Sequence, residues 1–152
     1  MVHFYNLDKD SRGGGAGASS MGASSGLRYE HRADGIHAFH FESEDREIVD
    51  MFIGKLESIY TGADPKAHIH LFIDTTPMRV GPPIRYIARK LQPFFETFPD
   101  RPAGSLAIIT SRGSFFTIFN NLLAMLSRSR DRFHLFQDGQ QDDAVRWLLN
   151  VR

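Results

Sequence analysis

The chain has 152 residues, 41% of them hydrophobic, with 18 basic and 18 acidic side chains, a composition typical of one globular domain. It contains no cysteine, which excludes disulfide bonds and thiolate chemistry and is compatible with the cytoplasm. No apolar run approaches the roughly 20 residues of a membrane-spanning helix, and no segment has the pattern of a secretory signal. We therefore predict a cytoplasmic protein without a membrane span.

Residues 13–26 consist almost entirely of glycine, alanine and serine. Such a segment cannot bury enough apolar surface to offset the entropy that is lost when it becomes ordered. Residues 1–26 are therefore predicted to form a disordered tether. The folded domain is expected to occupy residues 27–152.

Two short strand-like segments, 27–33 and 36–42, flank the dipeptide Asp34-Gly35. Asp-Gly between such segments is a strong signal for a tight hairpin turn, so the domain is predicted to begin with two antiparallel strands. An amphipathic helix of about four turns follows, with apolar residues at every third or fourth position. Ser43 is its predicted N-cap, and its end is expected near Gly62.

After this helix, segments with strand and helix periodicity alternate along the chain. The predicted strands are His68–Asp74, Ser105–Thr110 and Arg132–Phe136, and the predicted helices are 84–98, 115–126 and 142–151. Pro93 is expected to kink or end the helix that contains it, because proline lacks the amide hydrogen that a helix requires. Alternating strands and helices are typical of a wound sheet, so we predict a single α/β domain.

Three stretches of this pattern are distinctive. They are the strand Ile69–Asp74 followed by Thr75-Thr76, the strand-to-helix step Ala107–Ser111, and the end of the chain from Phe133 to Leu148. Together with the order of elements, they resemble the STAS-like (anti-sigma factor antagonist-like) superfamily, and most closely its bacterial branch of small uncharacterised stand-alone domains. The resemblance covers about residues 27–150. It implies a four- to five-stranded mixed sheet, about four helices packed mainly on one side, and a role in protein–protein regulation or ligand sensing.

The loop after Asp74 departs from this family. In the family's signalling antagonists, the Asp-ending strand leads into Asp-Ser-Ser/Thr-Gly, where the serine is phosphorylated at a helix N-terminus. Here the loop reads Asp74-Thr75-Thr76-Pro77, so that serine is missing and a phosphorylation switch of that kind is not predicted. Either threonine is an alternative acceptor, although nothing in the spacing requires it.

Ligands of wound α/β sheets bind outside the carboxyl ends of the strands, and two loops there carry suitable side chains. The candidate ligand-binding residues are Asp74, Thr75, Thr76, Arg79, Ser111, Arg112, Gly113 and Ser114. Asp74 and Thr76 are expected to fix the first loop. The free N–H groups at the start of the next helix are expected to bind an anion that the two arginines read. The alternative is an ordinary helix start capped by Ser111 or Ser114.

His68 and His70 are predicted to point to the same face of a strand, a spacing found in metal sites. A metal needs three or four converging ligands, and beyond this pair the candidates for a third are His31, His37 and His134. A metal-dependent enzyme is therefore an alternative rather than the main prediction. A hydrolase that combines Ser111, His134 and Asp74 is disfavoured, because the chain has no G-x-S-x-G nucleophile turn.

The helices 84–98 and 115–126 carry more apolar residues than one buried stripe requires. They are expected either to form a homodimer face or to wall a pocket for a small apolar acid or lipid, whose head group an arginine would hold. The basic run Arg128–Arg132 is short and lacks interleaved aromatic residues, so no nucleic-acid partner is predicted. We therefore predict a non-enzymatic regulatory or protein-interaction module that needs no cofactor and senses a small anionic ligand at the strand ends.

Overall fold

The computed structural model describes residues 26–79, 83–111, 113–126 and 130–150. Over these ranges the chain forms five strands and four helices. The strands are β1 (Leu27–His31), β2 (His37–Phe41), β3 (His68–Asp74), β4 (Ala103–Thr110) and β5 (Arg132–Gln137). The helices are α1 (Arg46–Gly62), α2 (Ile84–Thr97), α3 (Ser114–Leu126) and α4 (Gln141–Asn150). Residues 1–25 of the predicted tether lie outside the described residues.

The five strands form one sheet in the order β1-β2-β3-β4-β5. β1 and β2 are antiparallel, and β2 to β5 are parallel to one another. The tight turn between β1 and β2 places Gly35 at φ +90°, a left-handed conformation that glycine adopts without steric cost. The Asp34 carboxylate accepts a hydrogen bond from Ile36 N at 3.2 Å within this turn. The predicted α/β fold, with a mixed sheet and an N-terminal hairpin, is confirmed.

The strand order explains where the helices lie. Each of α1, α2 and α3 connects a strand to its next parallel neighbour in the same direction, and right-handed connections of this kind place every helix on one face of the sheet. The buried side chains of these helices share one core with alternate strand residues, including Phe39, Ile73 and Ile108. Helix α4 lies on the opposite face, where Ala144 and Leu148 belong to a second, smaller core. The helices therefore lie mainly on one side, as predicted.

The structure decides against one of the two alternatives for Pro93 and corrects one local prediction. Helix α2 does not end at Pro93 but continues to Thr97, whose hydroxyl donates to the Pro93 carbonyl at 3.0 Å. Apolar side chains on both sides of the proline pack against the core, which outweighs the one helical hydrogen bond that proline cannot make. Ser43 is not the N-cap of α1, because the backbone is still extended at Asp45 and the helix begins at Arg46. Ser43 Oγ instead accepts a hydrogen bond from Asp45 N at 3.2 Å.

Candidate functional site

The loops after β3 and β4 meet at the carboxyl edge of the sheet. Thr76 N donates a hydrogen bond to Asp74 Oδ1 at 2.9 Å. Ser111 Oγ donates to the Thr76 carbonyl at 3.3 Å. The Asp74 carboxylate therefore holds the turn of the first loop, and Ser111 ties the second loop to the first. These contacts bring three of the candidate residues together.

The remaining candidate residues of the two loops form no described anion site. Arg79 and Gly113 are exposed, and the Gly113 carbonyl accepts a hydrogen bond from the first turn of α3. Arg112 lies outside the described residues, as does the side chain of Ser114. Anion binding by the two arginines at this edge stays a prediction.

A histidine that was not among the candidates faces Asp74. His40 Nδ1 lies 3.4 Å from Asp74 Oδ2, because the parallel register of β2 and β3 places the two residues side by side. Burial raises the pKa of Asp74, but hydrogen bonds from His40 and Thr76 outweigh that effect, so the net pKa is lowered. The ionised carboxylate thus joins the end of β2 to the loop after β3.

His68 and His70 lie on the same face of β3, as the strand alternation predicts, with ring centroids 5.0 Å apart. His68 Nε2 lies 2.6 Å from Ser105 Oγ, so one ring nitrogen of His68 is engaged with a fully buried side chain. Burial lowers the pKa of both histidines, which favours their neutral forms at pH 7. Within the described ranges, no group of three or more histidine, cysteine, aspartate or glutamate side chains is arranged to hold a metal ion.

His37 makes the stability of the fold sensitive to mild acid. Its half-buried ring lies beside Tyr29, whose hydroxyl oxygen is 2.8 Å from Nδ1. Burial, with the nearby His31, Lys55 and His70, lowers the pKa of His37 from 6.5 to about 4. Between these two pH values the unfolded chain binds a proton at His37 and the folded chain does not. We therefore expect the free energy of unfolding to fall as the pH decreases from 6.5 to about 4.

Urea denaturation at about pH 7 and about pH 5 measures this loss. A His37→Gln variant has no titrating group at this position and should lose less stability than the wild type over the same interval. His68 and His70 also have lowered pKa values, so part of the loss remains in the variant. Equal losses in the two proteins would contradict the role of His37.

A cavity of about 110 Å³ lies between the sheet and the helices α1, α2 and α3. Protein interiors are close-packed, and voids larger than a water molecule are few. A space of this size within the main core is therefore a candidate binding site. Its wall is almost entirely apolar and includes Leu56, Leu91, Phe119 and Leu122 from the helices and Leu71 and Ile108 from the sheet.

Thr75, one of the candidates from the sequence, lines this cavity rather than the carboxyl edge. Only 2% of its surface is exposed. Its N–H and its hydroxyl both donate to the Ile109 carbonyl, at 2.9 and 2.8 Å. Both donors are thus used within the fold. A hydrogen bond to a ligand in the cavity has to come from another group of the wall.

One buried ion pair interrupts the apolar wall. Arg101, with 4% of its surface exposed, precedes β4 and pairs end-on with Asp131, which precedes β5. Nη1 donates to Oδ1 at 3.2 Å, and Nη2 donates to Oδ2 at 2.6 Å. Gly104 N also donates to Oδ1, at 3.0 Å. The pair therefore holds the starts of two neighbouring parallel strands together at the end of the cavity.

Two aromatic rings pack over the guanidinium of Arg101. Its Cζ lies 4.5 Å from the ring centroid of Phe95 and 5.8 Å from that of Tyr60. Burial raises the pKa of Tyr60 to about 12, so its hydroxyl stays protonated at neutral pH. A β-carbon at Gly104 would lie 2.8 Å from the Tyr60 hydroxyl oxygen, so any larger residue there would displace the Tyr60 ring.

The third nitrogen of the same guanidinium has no hydrogen-bond partner. Arg101 Nε is buried, and no described residue accepts a hydrogen bond from it. Both Nη groups face Asp131, so the Nε N–H lies on a different edge of the guanidinium plane. Leaving a buried donor without an acceptor costs about 1–3 kcal/mol, and native proteins rarely do so. The cavity wall thus contains a residue with an unused donor.

Neither Arg101 nor Asp131 is among the candidates predicted from the sequence, which lie at the carboxyl ends of the strands. This pair lies at the amino ends of β4 and β5. The sequence does contain a signal for this pair: a positively charged residue just before one strand and a negatively charged residue just before the next. Because the amino ends of neighbouring parallel strands meet at one edge of the sheet, such residues are placed to form an ion pair.

The outer surface of α3 carries exposed apolar side chains. Ile118 is 39% exposed and Met125 is 53% exposed. The two residues are seven positions apart and so lie on one side of the helix. A homodimer formed through α2 and α3 stays a prediction.

No helix in the described part of the chain is long and apolar enough to cross a membrane. Comparison of the chain with protein-family models, with curated proteins and with solved structures gives no match. The resemblance to the STAS-like superfamily therefore stays a prediction.

Proposed function

We propose that this domain is a non-enzymatic binding module that takes up a small, largely apolar molecule between the sheet and the helices α1, α2 and α3. The observation that carries the proposal is the cavity of about 110 Å³ with its apolar wall. An engineered cavity of about 150 Å³ with a similar lining binds benzene, so a ligand with one small ring or a short branched chain suits this space. The proposal follows the predicted pocket walled by the two apolar helices.

The energetics of the cavity support an occupant. The apolar side chains around a cavity of about 110 Å³ lack packing partners on the side that faces it. A ligand that fills the space restores the missing packing contacts of the wall and removes its own apolar surface from water. Both effects favour the occupied state.

The polar groups of the wall favour binding over chemistry. The Arg101 guanidinium and the Asp131 carboxylate are paired with each other, and the Thr75 hydroxyl donates to a backbone carbonyl. The Tyr60 hydroxyl has a pKa raised to about 12 by burial and remains protonated. A nucleophile or general base has to release or accept a proton near neutral pH and contact the substrate. Neither hydroxyl meets the first condition.

Helix α3 offers a route from the cavity to a partner. Phe119 and Leu122 face the cavity, whereas Ile118 and Met125 of the same helix are exposed. If α3 can occupy two placements against the sheet and the ligand binds one of them more tightly, the ligand increases the fraction of molecules with α3 in that placement. The proposed regulatory role then consists of a ligand bound inside and a protein partner recognised outside.

Toluene is a suitable first probe of this function. Its addition should raise the melting temperature of the protein, with a stabilisation of about 1.4 kcal/mol at ten times the Kd. Leu122→Trp fills the cavity with an indole ring and should abolish the shift in melting temperature. Ile118→Trp makes a comparable substitution on the exposed side of the same helix and should leave the shift intact.

The measurement is a thermal melt followed by circular dichroism, with saturation-transfer NMR to detect bound toluene directly. The spectrum without toluene shows whether each variant is folded. If folded Leu122→Trp protein binds toluene as well as the wild type does, the cavity is not the binding site and the proposal fails.

A further inference from the structure

We infer that the ligand carries a neutral hydrogen-bond acceptor, a ketone or amide carbonyl, and that Arg101 Nε donates a hydrogen bond to it. The inference rests on the proposed function, because it names the chemistry of the molecule that occupies the cavity. It is carried by the unpartnered nitrogen, by the charge balance of the ion pair and by the rings that pack over the guanidinium.

The unpartnered nitrogen supplies the donor. Arg101 lines the cavity, has 4% of its surface exposed, and its Nε finds no acceptor among the described residues. Asp131 takes one hydrogen bond from each Nη group and leaves the edge that contains Nε free of the carboxylate. A purely hydrocarbon ligand would leave this buried donor unsatisfied, whereas a ligand with an acceptor oxygen satisfies it.

The charge balance of the ion pair decides against an acid. Asp131 already neutralises Arg101, with Nη2 donating to Oδ2 at 2.6 Å. A carboxylate ligand would bring a second negative charge close to Asp131 in a largely apolar space, where an unpaired charge is costly. Arg132 also borders the cavity, but it is exposed and its charge is screened by water. A neutral carbonyl accepts the hydrogen bond without this repulsion, so we prefer it to the small apolar acid predicted from the sequence.

The rings over the guanidinium restrict the direction of approach. The ring centroid of Phe95 lies 4.5 Å from Cζ, and that of Tyr60 lies 5.8 Å from it. Hydrogen bonds to a guanidinium form in its plane, so a ligand oxygen has to approach along the edge rather than from above. An oxygen on a flat, trigonal carbon suits an approach along this edge, and the rest of the ligand then extends into the apolar cavity.

Three molecules of nearly the same shape test this inference. α-Methylstyrene, acetophenone and benzoate differ only in the group on the ring, which is an apolar alkene, a neutral ketone or a carboxylate. Titration of the full chain with each, followed by NMR chemical shifts at neutral pH, measures the three values of Kd. We expect acetophenone to bind about ten-fold more tightly than α-methylstyrene, and benzoate to bind most weakly.

The Arg101→Lys variant tests whether the nitrogen itself is responsible. Lysine keeps a positive charge beside Asp131 but has no nitrogen in the place of Nε. The preference for acetophenone over α-methylstyrene should fall to less than about two-fold, whatever the change in the affinity for the hydrocarbon itself. A preference of unchanged size in the folded variant would overturn the assignment of Arg101 Nε.

The comparison within the wild type is decisive even when the variant does not fold. Equal binding of acetophenone and α-methylstyrene, or tightest binding of benzoate, overturns the inference and leaves the proposed function standing. Absence of binding by all three molecules, and by toluene, overturns both.

Discussion

Replacing Arg101 by alanine is expected to lower the free energy of unfolding by about 3–5 kcal/mol. The guanidinium is 4% exposed and is the ion-pair partner of Asp131. Its removal takes from the Asp131 carboxylate the cation that it pairs with beside the apolar cavity, and breaking a buried pair by removing one partner is strongly destabilising. Urea denaturation at neutral pH, followed by circular dichroism, measures the loss.

A double variant separates the cost of the uncompensated charge from the attraction within the pair. When Arg101→Met is combined with Asp131→Leu, neither charge remains, so most of the lost stability should return. The recovery is expected to be incomplete, because Gly104 N loses its acceptor, at a cost of about 1–3 kcal/mol. If the double variant is no more stable than Arg101→Ala, the loss comes from the attraction between the two side chains and not from burying the Asp131 carboxylate without Arg101.

Leu148→Ala is expected to destabilise the fold by about 3–5 kcal/mol, through the lost apolar contacts and the cavity that the substitution leaves. Leu148 has 0% of its surface exposed and packs in the core between α4 and the sheet. Helix α4 has only two buried residues, Ala144 and Leu148, so this leucine is its main apolar anchor. Thermal and urea denaturation of the variant and the wild type give the difference.

The neighbouring residue provides the control for this prediction. Leu149 is 44% exposed, and the same substitution there should change the stability by less than about 0.5 kcal/mol. Similar losses in the two variants would mean that α4 does not pack on the sheet through the face that contains Leu148. A small loss in both would mean that the second core contributes little to the stability.

The fold was accessible from the sequence because its signals are local. The Asp34-Gly35 turn, the alternation of His68–Asp74 and the apolar periodicity of the helices each depend on residues close together in the chain. Packing within the fold overrides one of these local signals. At Pro93, the packing of neighbouring side chains overrides the helix-breaking tendency of proline, and packing of this kind is set by residues distant in the sequence.

The site was accessible only in part, because its contacts depend on strand register. Asp74 and Thr76 interact within one turn, which local reasoning can anticipate. Arg101 and Asp131 are 30 residues apart and meet because Ser105 pairs with Arg132 across β4 and β5. A shift of one residue in that register would move the two charges apart and turn side chains to the other face of the sheet. Periodicity alone does not specify the register between strands.

The strand order has a consequence for folding during synthesis. Because each strand pairs with its neighbour in the chain, every newly made strand–helix unit can dock on the edge of the sheet already formed, with few long loops to close. The face that α4 covers is different, since it includes Ile36, Phe72, Ala107 and Phe136, all made before α4. Among the described residues, α4 is the helix that covers this apolar face, so we expect the growing chain to be prone to aggregation until α4 docks.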